Sequence, residues 1–325
     1  MKFLVVGDPH VQLESLAECE RLLDLVEEAA VANEVDRIVL MGDLFHTFEV
    51  IRVEVIDFWR RRLLRLGCPV WILRGNHDGP HDVKPGVHAL RALEGRPVII
   101  DEPRVERNDI LWLPFTRSSE EFTRWCKEYS GTVTVYCHQD FNGAAYENGI
   151  YVKNGVDPDA IPQAQVISGH IHTVQEFGKV FYVGAPRWMT IKDVNQDRFL
   201  WVIEHANDGR VISKTSIPTD THCLRMVHLV DSQTKPLDPE TVPATVKALV
   251  DVKGDVAYCE ARRRVWKGKA RVRTFPTVVR TAKVKESDGI AIAFKKYLDS
   301  YQPSSGVTHD ALRNLVEARL SIFPI

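Results

Sequence analysis

Five short apolar runs, each closed by glycine or polar side chains, constrain this chain more than any other feature. Lys2–Gly7 runs into Asp8-Pro9-His10, Arg37–Gly42 into Asp43-Leu44-Phe45-His46, and Pro69–Arg74 into Gly75-Asn76-His77-Asp78. Thr132–His138 ends on Cys137-His138, and Ala164–Gly169 is followed by His170-Ile171-His172. Compact runs of this kind read as strands buried on both faces. Helical patterns lie between them. Ser15-Leu16-Ala17-Glu18 has the form of a capping box ahead of Leu22, Leu23, Leu25 and Val26, a helix fits Val55 to Leu66, and Ser118-Ser119-Glu120-Glu121 opens a third. Alternating strands and helices predict an α/β core. After Gly178 the pattern turns to strands alone (Val180–Gly184, Phe199–Glu204, Val211–Ile217), so the sheet arrangement is mixed rather than purely doubly wound. Functional groups in open α/β sheets gather outside the carboxyl ends of strands, so five clusters spread from position 8 to 172 can converge.

The residue types then narrow the chemistry. Asp8, His10, Asp43, Asn76, His138, His170 and His172 offer carboxylate, amide and imidazole donors without a thiolate, a set that suits Mn²⁺, Fe²⁺, Zn²⁺ or Mg²⁺ better than calcium. Seven ligands are too many for one ion with an open position. They match two ions roughly 3.5–4 Å apart that share a bridging carboxylate. Any one motif alone is an ordinary turn; five in order on one sheet edge are not. Cys137 reads as a small buried strand residue.

The order D-x-H, G-D, G-N-H-D, a lone H and G-H-x-H resembles the calcineurin-like metallophosphoesterase superfamily, and Gly42-Asp43-Leu44-Phe45-His46 resembles its SbcD-type DNA double-strand-break-repair nucleases, phage recombination nucleases among them. The resemblance implies a four-layer α/β/β/α sandwich of two mixed sheets with a smaller α+β C-terminal region. It implies a first metal on Asp8, His10 and His172, a second on Asn76, His138 and His170, and Asp43 bridging them. His77 would face the scissile phosphate with Asp78 orienting its ring, and His46 would help place the DNA end. The implied cofactors are two divalent ions, Mn²⁺ with Mg²⁺ as the alternative. The implied activity is 3′ to 5′ double-strand exonuclease and single-strand endonuclease, as the nuclease subunit of an SbcCD-type complex. Its partners would be DNA, an SbcC-type coiled-coil ABC ATPase and a second copy of the chain. The alternative is a stand-alone metallophosphoesterase acting on phosphoproteins or small phosphodiesters. Two departures flank the motifs: Val11-Gln12 stand where the family has Leu-Gly, and Gly184-Ala185-Pro186 where it has Gly-Ser-Pro.

With 325 residues the chain has room for two domains. We divide it into a metallophosphoesterase domain (1–217), a basic capping region in contact with DNA (218–285) and C-terminal helices for the ATPase (286–325). The net charge of −2 conceals a gradient: Lys+Arg against Asp+Glu is 24 − 32 = −8 through Thr215 and 18 − 12 = +6 afterwards. Between Ala261 and Lys285 stand ten basic residues and no acid, with Arg262, Arg263, Arg264, Lys267, Lys269, Arg271 and Arg273 as candidate phosphate contacts. The same charge would also serve to guard a ribbon edge. Helical patterns over 238–250, 287–301 and 308–321 and a β-rich stretch over 256–285 complete the reading. The last two helices carry apolar stripes suited to groove binding on the ATPase. Six cysteines without a C-x-x-C pair point to a reduced setting. Without an apolar run long enough for a signal peptide or membrane span, the chain is expected to be soluble and cytoplasmic.

Overall fold

The structure, a computed structural model, describes residues 1–80, 86–106, 109–194, 196–277 and 296. In chain order the elements are β1 (Lys2–Val6), α1 (Leu16–Ala32), β2 (Arg37–Leu40), α2 (Val53–Arg65), β3 (Val70–Leu73), β4 (Val98–Ile100), β5 (Arg104–Glu106), β6 (Ile110–Leu113), α3 (Ser119–Glu128) and β7 (Thr134–His138). There follow β8 (Gln165–Gly169), β9 (Gln175–Phe177), β10 (Val180–Tyr182), β11 (Phe199–His205), β12 (Val211–Pro218), β13 (Arg225–Ser232), β14 (Val246–Gly254), α4 (Val256–Val265) and β15 (Arg271–Pro276). Two six-stranded sheets have the orders β12-β11-β1-β2-β3-β4 and β5-β6-β7-β8-β10-β9, and a three-stranded sheet has the order β13-β14-β15. Both large sheets are mixed: β1 through β4 pair in parallel while β11 is antiparallel to both of its neighbours, β1 and β12, and β5 and β9 are the antiparallel edges of the second.

The period of two along each strand explains the layering. In β1, Leu4 and Val6 join the core shared with α1 and α2, while Phe3 and Val5 join a core between the sheets. In β7, Val135 and Cys137 face the core containing Phe122 and Cys126 of α3, and Tyr136 faces the inter-sheet core. The result is α/β/β/α, and strands buried on both sides are why their sequences read as unbroken apolar runs. The register (Val6 opposite Leu40, Leu40 opposite Ile72) ends β1, β2 and β3 at one edge, and His138 opposite Gly169 does the same for β7 and β8.

Several expectations change. Ser15 makes no side-chain cap on α1: its hydroxyl donates to Gln12 O, and the Glu18 carboxylate serves other partners. The predicted 238–250 helix is instead a short 3-10 turn, Pro239–Thr241, followed by β14, whose residues 248–252 are buried and paired as a central strand. Part of the predicted β-rich stretch is α4, opened by Asp255, whose side chain accepts from Tyr258 N. The 287–301 and 308–321 patterns lie outside the described residues, Lys296 excepted.

The chain divides into two compact units. One comprises Met1–Leu229, Asp238–Val250 and Lys269–Arg271; the other comprises Val230–Leu237, Asp251–Gly268 and the described residues from Val272. The second unit is organised on buried Asp231, which accepts from Arg262 Nε (2.6 Å), Trp266 Nε1 (2.6 Å), Tyr258 Oη (2.7 Å) and Leu237 N (3.2 Å). Among the described residues no helix is long and apolar enough to cross a membrane.

Candidate metal centre

The strand ends meet through unusual backbone. His10 (φ +43°), Asp43 (φ +51°) and His170 (φ +82°) lie in the left-handed region, where a side chain costs of order 1–3 kcal/mol unless the surroundings impose it. Here they do. His10 N donates to Asp43 O at 2.9 Å, Asp43 N to Asp78 Oδ2 at 2.8 Å, and His170 N to Asp8 Oδ2 at 2.7 Å. Two glycines permit the approach: a Cβ on Gly42 (φ +107°) would sit 2.6 Å from His138 Nδ1, and one on Gly75 would sit 2.2 Å from Asp43 Oδ1.

Asp43 is the centre of what results. His10, Asp43 and His77 bring one set of donor atoms within 4.8 Å of one another, and Asp43, His138 and His170 bring a second. Asp43 Oδ2 lies 3.4 Å from both His10 Nε2 and His138 Nε2. Asn76 Oδ1 joins the second set, 2.9 Å from His138 Nε2 and 2.8 Å from His170 Nδ1. His172 Nε2 stands 3.0 Å from His10 Nε2. Asp8 is fully buried, with Oδ1 3.7 Å from His138 Nδ1. All seven expected ligands therefore gather at one edge.

The electrostatics fit cations there. Burial, with the charge of Asp43 added, pushes Asp8 up to about 8, and the same two causes push Asp78 up to about 6. Burial also works against Asp43, yet the imidazoles of His138, His10 and His77 outweigh it and hold that carboxyl below the usual range. Burial drives His10 well down and His172 down to about 4, whereas Asp43 and Asp8 overcome burial at His138 and raise it to about 10. Crowded buried carboxylates in a mixed N/O donor set favour divalent metal. Asp8 Oδ1, buried without a hydrogen-bond partner among the described residues, is a donor atom of the kind such an ion takes.

Ring anchors prepare the second set. His138 Nδ1 donates to Met41 O at 2.8 Å, and His170 Nε2 to Asp140 Oδ2 at 3.1 Å, which turns His138 Nε2 and His170 Nδ1 toward Asn76 Oδ1. Tyr146 Oη in turn donates to Asp140 Oδ1 at 2.8 Å, and Glu147 Oε1 accepts from His172 N at 3.2 Å. The sequence reading missed Asp140, Tyr146 and Glu147. Only Asp140 carried a signal, its place two residues after His138.

His46 and His77 flank the donors. His10 and His77 have ring centroids 4.8 Å apart, and His46 and His77 6.3 Å apart. The expected role of Asp78 needs correction. Both its oxygens accept from backbone N–H groups (Asp43, Gly75 and Phe45), and it is His46 O that takes His77 Nδ1–H, at 2.7 Å. A carboxylate facing three buried donors serves the loops before the ring.

The sequence profile of the calcineurin-like phosphoesterases matches residues 1–205. The chain belongs to this family. As a phosphoesterase it is a metal-dependent hydrolase, and it is 25% identical over 249 residues to exonuclease subunit 1 of Enterobacteria phage T4, covering 70% of each chain. Among solved structures it is similar to TT1561 of Thermus thermophilus (15% identity, TM-score 0.42, 67% of this chain and 98% of that one). It is also similar to the nuclease MPE of Pseudomonas putida (16% identity, TM-score 0.32, 64% and 85%).

The candidate DNA contacts of this phosphoesterase are not equivalent. Arg262 pairs with Asp231, Lys269 with Glu240, and Arg273 with Asp251 through Nε (2.6 Å) and Nη2 (2.8 Å). Arg263, Arg264, Lys267 and Arg271 are exposed. The stretch that lacks acids in sequence obtains them from elsewhere in the chain.

Proposed function

We propose that this phosphoesterase is a Mn²⁺-dependent DNA nuclease, the catalytic subunit of a complex with an SbcC-type coiled-coil ABC ATPase. It would degrade duplex ends 3′ to 5′, cut single strands and act as a homodimer in recombination and repair. The observation that carries the reading is the pair His46 and His77 beside the Asp43-centred donors. Hydrolysis of a phosphoester needs the donors; a second histidine on an exposed loop next to the first suits a large substrate whose strand end must be placed. The similarity to a phage protein named as an exonuclease subunit supports both the DNA substrate and the partner.

Asp8, His10 and His172 would hold one ion, Asn76, His138 and His170 the other, and Asp43 both. When bound, two divalent ions supply Lewis-acid stabilisation of phosphoryl charge and a nucleophile from water near neutral pH. The protein's own groups do the rest. With Nδ1–H given to His46 O, His77 keeps Nε2 to face the phosphate, and its imidazolium form donates a proton to the departing 3′ oxygen. Arg263, Arg264, Lys267 and Arg271 would meet backbone phosphates, and residues 286–325 would bind the ATPase.

The test gives purified protein with Mn²⁺ or Mg²⁺ linear duplex, circular single strand and p-nitrophenyl phosphate, with and without a candidate ATPase. Cleavage of both DNAs is expected, strongest with Mn²⁺. Activity confined to the monoester would overturn the nuclease reading in favour of a stand-alone phosphatase. His77→Ala should keep both ions and lose about 10²–10⁴-fold in rate; loss of an ion would instead make His77 a ligand.

A further inference from the structure

The four histidines of the centre are anchored by two different means. His138 and His170 are fixed at their rings, by Met41 O and Asp140. His10 and His172 meet each other, Nε2 to Nε2 at 3.0 Å, but have no such anchor on Nδ1. His10 Nδ1 is buried with no hydrogen-bond partner among the described residues, and His172 Nδ1 lies 3.5 Å from Glu147 Oε1, too far for a firm bond. These two residues are held by their main chain. Arg187 donates from Nε to Pro9 O at 2.7 Å and from Nη2 to His10 O at 2.6 Å. Arg198 donates from Nη1 to His172 O.

Both guanidinium groups are buried, their side chains 2% and 0% exposed. Each has a carboxylate: Glu18 Oε2 is 3.4 Å from Arg187 Nη1, and Asp193 Oδ1 bonds Arg198 Nη2. The carboxylates are fixed in turn. Glu18 accepts from Leu224 N (3.0 Å) and Lys247 Nζ (2.6 Å), and Asp193 Oδ2 accepts from Met189 N (2.8 Å) and Thr190 N (2.6 Å). A buried ion pair is commonly no more stable than apolar side chains of the same volume, so stability alone does not account for two of them. Their shared target does. His10 holds a left-handed φ of +43°, and a planar fork that grips two consecutive carbonyls fixes that turn in a way a lysine ammonium does not.

Resting on the two-ion reading, we infer that Arg187 and Arg198 are positioning residues that set the His10–His172 half of the metal centre through its backbone, while the rings of the His138–His170 half are held by Met41 O and Asp140. Removing a clamp should therefore weaken one ion and spare the other.

The experiment is Mn²⁺ titration by calorimetry, with melting curves to confirm folding. Arg187→Met and Arg187→Lys are each placed in three backgrounds: the natural chain, His170→Ala and His172→Ala. In the natural chain two ions should bind, and either substitution should weaken one of them about 10–100-fold, the usual effect of losing a partner that orients a ligand. With His170→Ala the ion that remains should be weakened by the same factor. With His172→Ala the ion that remains should be unaffected. Arg187→Lys keeps the charge beside Glu18 and loses the fork, so it separates positioning from charge compensation and carries the test should Arg187→Met fail to fold. Equal weakening of both ions, or a lysine variant that binds as the natural chain does, would overturn the inference while leaving the two-ion reading intact. A natural chain that binds fewer than two ions would overturn that reading first, and the inference with it.

Discussion

Replacing Gly75 with alanine probes the centre at its tightest approach. The added Cβ would stand 2.2 Å from Asp43 Oδ1, 2.4 Å from Asp43 N and 2.9 Å from Asp43 Cγ. Real Cβ contacts essentially never fall below 3.0 Å, so something must move by at least 3.0 − 2.2 = 0.8 Å. Neither side has slack. Asp43 Oδ1 accepts from His77 N at 2.7 Å, and the N–H groups of Asp43 and Gly75 converge on Asp78 Oδ2 at 2.8 and 2.9 Å. Relief therefore pushes the carboxylate out from between His10 and His138. Overpacking of this kind costs about 1–3 kcal/mol, or roughly 2–12 °C in Tm at 2–4 °C per kcal/mol for a domain of this size. A ligand displaced by close to 1 Å lowers turnover about 10²-fold. Melting curves, Mn²⁺ titration and hydrolysis of a DNA substrate measure all three. Gly67→Ala is the control, because a Cβ there meets nothing within 4 Å. Gly75→Ala should fold, melt lower and lose Mn²⁺ affinity and turnover together. A variant with unchanged metal binding and turnover would refute the placing of Asp43.

Asp140→Ala removes the acceptor of His170 Nε2–H and should weaken Mn²⁺ binding about 10–100-fold in a titration. Asp231→Ala strands Arg262, Trp266 and Tyr258 and should cost the second unit about 3–5 kcal/mol in urea unfolding. Burial opposes the Asp231 charge, but hydrogen bonds from Trp266, Tyr258 and Arg262 prevail and lower its pKa. Its stabilisation is therefore present above the usual carboxylate value of about 3.9 and lost as pH falls through the depressed one; Asp231→Asn should flatten that acid limb. Charge reversal of Arg263 and Arg271 together should reduce the salt dependence of DNA binding, by about 0.9 in slope for each phosphate no longer neutralised. Arg273→Glu should instead lower stability, because Arg273 already pairs with Asp251.

The seven expected metal donors could be proposed from sequence because each closes a strand. A strand buried on both faces announces itself as an apolar run, and its parallel neighbours end at the same edge. The support of those donors was not legible. Asp78 sits beside His77 in sequence, yet its oxygens face three backbone donors from two loops. Residues 246–254 mix alanine, valine, lysine and aspartate, a composition that suits helix or strand; pairing between β13 and β15 decides for the strand. In 256–265 the apolar signal is thin. Cys259 and Trp266, with Arg262 on the same side, mark a helical face only once buried Asp231 is there to meet it.

By itself, then, the sequence determined the kinds of donor atom, their order, the glycines between them and the acidic front and basic back hidden in a net charge of −2. Each motif is local, read within about ten positions, and the order of the motifs and the charge gradient need only a reading along the chain. The tertiary structure decided which atoms meet. It gave Asp140 to His170, Arg187 to His10 and Arg198 to His172, across 30, 177 and 26 positions, and it matched three of the basic residues with acids outside their own stretch. A hydrogen bond or ion pair depends on separations of about 3 Å, and no periodicity along the chain encodes which distant strand end will supply the partner.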